Sequence, residues 1–204
     1  MKNFRGWEHR AVHQLYGLMT QRATYEGQLK RDSNSRPFVL SRAFFVGTQR
    51  WGPIWTGDNA AEWSHLKSSI PMLLSLGISG MPFVGADVGG FFGNPDAELV
   101  WRWYQIGAMQ PFFRAHAHLD SKRREPWVFE EPWTGRMRNA IRMRYFLELD
   151  FYLEQLFDHL KRNKMFRSSS FRLFKMEERF TRRSFDLSEN ALLLAFKIFR
   201  SLFL

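Results

Sequence analysis

Two short apolar runs in this chain end in groups that could move protons or hold hydroxyls. Residues 38–40 lead to Arg42, and residues 53–55 lead to Asp58. A cation and a carboxylate delivered at the C-terminal ends of parallel strands are how a barrel assembles an active site. Aromatic side chains stand on both sides of the pair: Phe44, Phe45, Trp51 and Trp55. Their faces suit a flat, polar ligand such as a sugar ring. Two ordinary buried strands followed by turn residues would give the same text, so this segment alone leaves both possibilities open.

Asp58 is followed by Asn59-Ala-Ala-Glu62, the form of a capping box in which Asn59 caps a helix and Glu62 reaches back. Asp58 is then either a second capping residue or a carboxyl left free at a strand end. A general acid must keep its proton near the working pH. Two carboxyls held close together resist ionising at once, so a catalytic Asp58 calls for a carboxylate partner. A second block, Gly85-Ala-Asp-Val-Gly-Gly-Phe91, puts Asp87 where a strand ends and lets Gly89-Gly90 turn the backbone sharply. Asp87 reads first as a structural carboxyl bonding its own loop, and Phe91 as either core or pocket wall. The third block is Arg114-Ala-His-Ala-His118, where alternation puts His116 and His118 on one face of an extended segment. A metal would need a third ligand, and none stands nearby. A neutral imidazole bonding a hydroxyl-rich ligand is the better account, with structural histidines as the alternative. No metal and no cofactor are expected. G-x-S-x-G, P-loop, H-E-x-x-H and Gly-rich dinucleotide turns do not occur.

The elements that must position these groups alternate along the chain. Apolar residues at helical spacing (Val12, Leu15, Tyr16, Met19) predict a helix over 8–25, with a polar loop over 27–35. Strands are expected over 37–45, 53–56 and 81–86. Helices are expected over 62–76, lined by Trp63, Leu66, Ile70, Leu73 and Leu74 and kinked at Pro71, and over 97–109. Residues 111–116 close with a short strand or turn. This alternation points to βαβ units and a parallel sheet in an α/β fold. An open doubly wound sheet fits it as well.

The formal net charge of +10 raises the possibility of a nucleic-acid partner, but its distribution argues against one. Residues 160–204 hold eleven Lys/Arg against four Asp/Glu. The excess is therefore a terminal run, not a shaped patch on a folded surface. No nucleic acid is expected, and no stretch is apolar for long enough to span a membrane. Cysteine is absent, which excludes disulfides and thiolate metal sites. All eight Trp, eight Pro and fourteen Gly lie at or before Gly135. Turns between packed elements need Gly or Pro, so the shift predicts a domain over 1–145 and a divergent basic tail over 146–204.

Six blocks carry a further signal. Arg36-Pro-Phe-Val-Leu-Ser-Arg-Ala-Phe-Phe45, Trp55-Thr-Gly-Asp-Asn-Ala-Ala-Glu-Trp63 and Gly85-Ala-Asp-Val-Gly-Gly-Phe-Phe92 are the first three. Arg102-Trp-Tyr-Gln105, Gln110-Pro-Phe-Phe-Arg-Ala-His-Ala-His118 and Arg123-Arg-Glu-Pro-Trp127 follow. In order and spacing they resemble glycoside hydrolase family 31, over residues 6 to about 145. The resemblance implies a (β/α)8 barrel and a retaining α-glucosidase that removes terminal α-linked glucose. By it Asp58 is the general acid/base, and Arg42 and His116 bond the glucosyl hydroxyls. Trp55 and Phe91 form the pocket wall, with Asp87 a carboxylate supporting it. Within the family the nearest likeness is to enzymes that trim N-glycans in the lumen of the endoplasmic reticulum. It implies an oligosaccharide substrate and a possible non-catalytic β-subunit.

The sequence departs from the family in two places. Retention requires a second carboxyl about 5–5.5 Å from the acid/base. The family places it in a Trp-x-Asp-Met-Asn-Glu-Pro motif, expected just upstream of Gly6-Trp-Glu-His-Arg10, and that motif occurs nowhere in the 204 residues. The Pro-Val-Met-Arg-Pro strand expected after Phe146-Leu-Glu-Leu-Asp-Phe-Tyr152 does not occur either. The expectation is therefore the C-terminal half of a (β/α)8 barrel followed by a divergent helical or disordered tail. It would carry the acid/base without the nucleophile and be inactive alone. The alternative is a short, non-catalytic protein that binds carbohydrate or nucleic acid.

Overall fold

The computed structural model of the chain describes residues 1–146. In chain order these hold α1 (His9–Arg31), a 3-10 turn (Thr48–Arg50), β1 (Ile54–Trp55) and α2 (Trp63–Ile78). β2 (Val84–Gly85), α3 (Ala97–Gly107) and a second 3-10 turn (Pro126–Val128) follow, and residues 133–140 are helical too. All lie in the first of two compact units, Met1–Ala140 and Ile141–Leu204. Residues 141–146 of the second unit are described and are helical. Apart from Phe146, the tail expected over 146–204 lies outside the described residues. Among the described residues no helix is long and apolar enough to cross a membrane.

Four extended segments run parallel in the order of the sequence. β1 and β2 pair with Ile54 opposite Val84 and Trp55 opposite Gly85. Ahead of them Ser41 forms a parallel bridge to Ile54, its N–H donating to the Pro53 carbonyl at 3.1 Å. Behind them the Phe112 N–H donates to the Val84 carbonyl at 3.1 Å, and Val88 bridges Ala115 in parallel. α2 and α3 connect consecutive neighbours, as βαβ units do. The order never reverses, which sets aside the doubly wound alternative for the described residues.

Alternation gives each segment two faces. Ile54 and Val84 face α2, where they form a buried cluster with Leu73 and Met81, packed against by Phe44 and Leu76. The opposite parity runs Phe38, Leu40, Arg42; Trp55; Phe83, Gly85, Asp87; and Phe112, Arg114, His116. Ring contacts bear out the shared face: Phe38 lies 6.4 Å from Phe83 and 6.2 Å from Phe112, and Phe83 lies 6.0 Å from Phe112. The phenylalanines form a layer at the N-terminal side of this face, and the polar groups gather at its C-terminal side.

Several expected elements come out differently. The strand over 37–45 reduces to extended backbone with the single bridge at Ser41. Those over 53–56 and 81–86 shorten to two residues each, because pairing lasts only two positions before the chain turns. α1 continues through Gly27 to Arg31. Its buried residues are Gly17, Leu18 and Gln21, while Tyr16 and Met19 are exposed. Gln21 reaches across to donate to the Val39 carbonyl at 2.9 Å. A Cβ on Gly17 would meet Ala43 at 2.4 Å, so this close approach selects the face that packs, whatever the apolar spacing. In α2 the buried residues are Leu66, Ser69 and Leu73, Trp63 and Ile70 are exposed, and the helix continues through Pro71. The capping box does not form. α2 starts at Trp63 with Glu62 as its N-cap, and no side chain caps it.

Candidate active site

Each chemical group of the sequence analysis sits just after one of the four parallel segments. Arg42 follows the first, and its Nη1 donates to Asp58 Oδ2 at 3.2 Å, beyond the end of β1. Asp58 is 30 % exposed and Arg42 62 %, so the pair opens to solvent.

Asn59 acts as a tie between loops and not as a helix cap. Its Nδ2 donates to the Asp87 carbonyl at 3.1 Å, and its Oδ1 accepts the Phe91 N–H at 3.0 Å. Its own carbonyl accepts the N–H groups of Phe91 and Phe92. The loop after β1, which carries Asp58, is thereby tied to the loop after β2, which carries Asp87 and Phe91. Gly90 permits this contact. It sits at φ +81°, and a Cβ there would meet the Ala61 nitrogen at 2.4 Å.

Asp87 is fully buried. It accepts Arg114 Nη2 at 2.5 Å through Oδ1, while its Oδ2 has no partner. Burial pushes its carboxyl above the ordinary range, and the hydrogen bond and charge of Arg114 oppose that push. The Arg114 guanidinium lies 5.6 Å from the Trp55 ring and 5.3 Å from the Phe112 ring. These contacts make cation–π pairs at the foot of the site. Asp87 therefore holds the guanidinium that lies against the Trp55 and Phe112 rings.

His116 stacks on Phe91, with centroids 5.4 Å apart and planes 29° from parallel. His118 meets the same ring edge-on at 5.5 Å, and its backbone N–H donates to the Phe91 carbonyl at 2.9 Å. The two histidines thus converge on Phe91, His116 exposed and His118 half-buried beside Asp120. Among the described residues no three His, Cys, Asp or Glu side chains cluster as a metal site.

Sequence reasoning gave no role to Arg114 and Arg124 and a different one to Asn59. Arg114 is the buried carboxylate's partner, and its parity with His116 in Arg114-Ala-His116 was the available signal. Asn59 was assigned to a cap. Arg124, nearly buried, donates Nη1 to the Gly89 carbonyl at 2.8 Å and Nη2 to the carbonyls of Gly90 and His116. It locks the Gly-Gly turn to the His116 segment, and burial lowers the pKa of its guanidinium. Nothing in a bare Arg-Arg pair says which member turns inward.

The arrangement resembles known proteins in sequence as well as in shape. The family model of the glycosyl hydrolases family 31 TIM-barrel domain matches residues 1–152. Neutral alpha-glucosidase AB of Dictyostelium discoideum is 64% identical over 146 residues, which are 71% of this chain and 16% of that protein. A crystal structure of the glucosidase II alpha subunit in its alpha3-Glc2-bound form superposes with a TM-score of 0.68 at 57% identity, covering 71% of this chain and 16% of that one. The same figures hold for the catalytic subunit in a crystal structure of the ER glucosidase II heterodimeric complex with the binding domain of the regulatory subunit. The chain thus spans about a sixth of the length of these relatives. With three-quarters of its residues inside the family model, it belongs to the glycosyl hydrolases family 31.

Proposed function

We propose that this chain supplies the acid/base side of a retaining α-glucosidase site that removes terminal α-linked glucose from glycans. The observation that carries the proposal is the Arg42–Asp58 pair, 3.2 Å apart. It stands at the C-terminal ends of parallel segments, on the face shared by Trp55 and Arg114. Asp58 is partly open and held in place. As general acid it would protonate the glycosidic oxygen while a nucleophilic carboxylate attacks the anomeric carbon. As general base it would then take a proton from the water that releases glucose. Arg42 positions Asp58 and bonds a glucosyl hydroxyl. His116, braced on Phe91, bonds another, and Trp55 and Phe91 wall the ring. Asp87 holds Arg114 beneath Trp55.

The nucleophile is the part this sequence does not contain, since no Trp-x-Asp-Met-Asn-Glu-Pro motif occurs in it. The described residues then represent the C-terminal half of a (β/α)8 barrel, and the 204-residue chain is inactive by itself. For the whole protein, the proposal extends to N-glycan trimming in the lumen of the endoplasmic reticulum with a non-catalytic β-subunit. Support for this comes from the likeness to the catalytic subunit of the ER glucosidase II heterodimer.

The test is complementation. Mixed with a polypeptide that carries the family's nucleophile motif, the chain should restore release of glucose from an α-glucoside with retention. Asp58→Asn should then cut the rate by about 10²–10⁴, and the chain alone should give none. Activity of the chain alone, lost in Asp58→Asn, would refute the missing nucleophile. Restored activity indifferent to Asp58 would refute the acid/base role.

A further inference from the structure

We infer that the isolated chain pairs with a second copy of itself, two four-segment sheets closing edge to edge into one eight-segment barrel. The inference rests on the half-barrel reading above but not on the glucosidase activity. It is argued from three features of the described residues.

The first is the count. A barrel of this family's type has eight parallel strands, and the described residues supply four in unbroken sequence order. Eight is twice four, so a twofold axis along the barrel satisfies closure, and a twofold pair is the commonest oligomer.

The second feature is the edges. Along residues 38–41 the Ser41 N–H bonds toward β1, and on the outer edge the Phe38 N–H donates to Gln28 Oε1 of α1 at 3.2 Å. The outer-edge N–H and C=O of Leu40 make no hydrogen bond. At the other end Phe112 and Arg114 bond toward β2, while the outer-edge groups of Phe113 and Ala115 make none. Open edges of this kind recruit another strand. Both edges run parallel to the rest of the sheet. A twofold pair therefore sets the first edge of each copy against the last edge of the other, in the parallel sense that the sheet already uses.

The third feature is the face. The layer of Phe38, Phe83 and Phe112 lies opposite α2, with Phe38 56 % and Phe83 44 % exposed. Three large rings in mutual contact, open to water on the concave side, form a patch that a second identical layer would cover, as side-chain layers fill a closed barrel.

The chain contains no cysteine, which makes a site-specific test clean. Ser41→Cys marks the first edge and Ala115→Cys the last, both side chains on the α2 side of the sheet. Within one copy these positions are three inter-strand spacings apart, roughly 14 Å. A short bismaleimide should therefore join an S41C chain to an A115C chain when the two variants are mixed, and neither variant to itself. Light scattering on the unlinked chain should give twice its 24.3 kDa mass. Phe83→Glu, at a position already half open, should restore the single mass while far-UV circular dichroism keeps the helical signal. A single mass for the wild-type chain would leave this face to another polypeptide segment and overturn the proposal. Open-ended aggregates would overturn it, as would links within either variant alone or a doubled mass that survives Phe83→Glu. A positive result needs no hydrolysis, so failure here and failure of the glucosidase reading are separable.

Discussion

Asp87 concentrates the electrostatic problem of the site in one side chain. It is wholly enclosed, one oxygen held by Arg114 at 2.5 Å and the other unpartnered. Burial disfavours its charge more than Arg114 favours it, so its pKa lies above the ordinary carboxylate value. The folded chain then binds this proton more tightly than the unfolded chain. Its contribution to stability is full below the unfolded pKa and is lost as pH rises through the higher folded value. Urea midpoints measured across the acid range should carry this downward component, and Asp87→Asn should flatten it. The amide keeps a neutral acceptor for Arg114, whose side chain is part-exposed, so at neutral pH the variant should lose only what one weakened hydrogen bond is worth, about 0.5–1.5 kcal/mol. A midpoint that climbs with pH, with a slope removed by Asp87→Asn, would show that Arg114 wins the contest instead.

At the scale of elements, what the sequence revealed depended on how local the cause was. α3 was legible because its signals sit side by side. Asp96 caps it by accepting the Leu99 N–H at 2.8 Å, and the buried Leu99, Val100, Trp103 and Tyr104 follow at helical spacing. The polar groups at the segment ends were legible too, since a short apolar run followed by Arg42, Asp58 or Asp87 is a local pattern. The tie made by Asn59 was not, because its partners, the Asp87 carbonyl and the Phe91 N–H, lie about thirty residues away in the sequence. Helix faces were misjudged for a related reason. Periodicity finds a stripe of large apolar side chains, whereas α1 packs through Gly17, Leu18 and Gln21, where a tight approach and a long-range hydrogen bond decide. α2 offers a direct check on its own face. Leu73, in the cluster with Ile54 and Val84, should cost about 2–5 kcal/mol on truncation to Ala. Ile70, 44 % exposed, should cost no more than about 0.5 kcal/mol. Equal losses in urea unfolding would mean the buried stripe has been assigned to the wrong residues.

For the molecule as a whole, the composition pulls two ways. Among the described residues α2 packs on one face of the parallel sheet, and the opposite face presents a layer of phenylalanine below a group of polar side chains. Among the described residues, exposed phenylalanine and unpaired outer-edge groups at Leu40, Phe113 and Ala115 favour association. If a second copy supplies the cover, folding and association are one equilibrium, and apparent stability depends on chain concentration. Each tenfold rise in concentration then adds about 1.4 kcal/mol to the unfolding free energy of the pair. Counting the described residues of a pair, about 290, that moves the thermal midpoint by about 2 °C. The expected result is a midpoint that climbs by this amount per decade for the wild-type chain and stays level for Phe83→Glu. A wild-type midpoint independent of concentration would mean that the phenylalanine layer is tolerated bare, and that closure of the barrel is not what stabilises this chain.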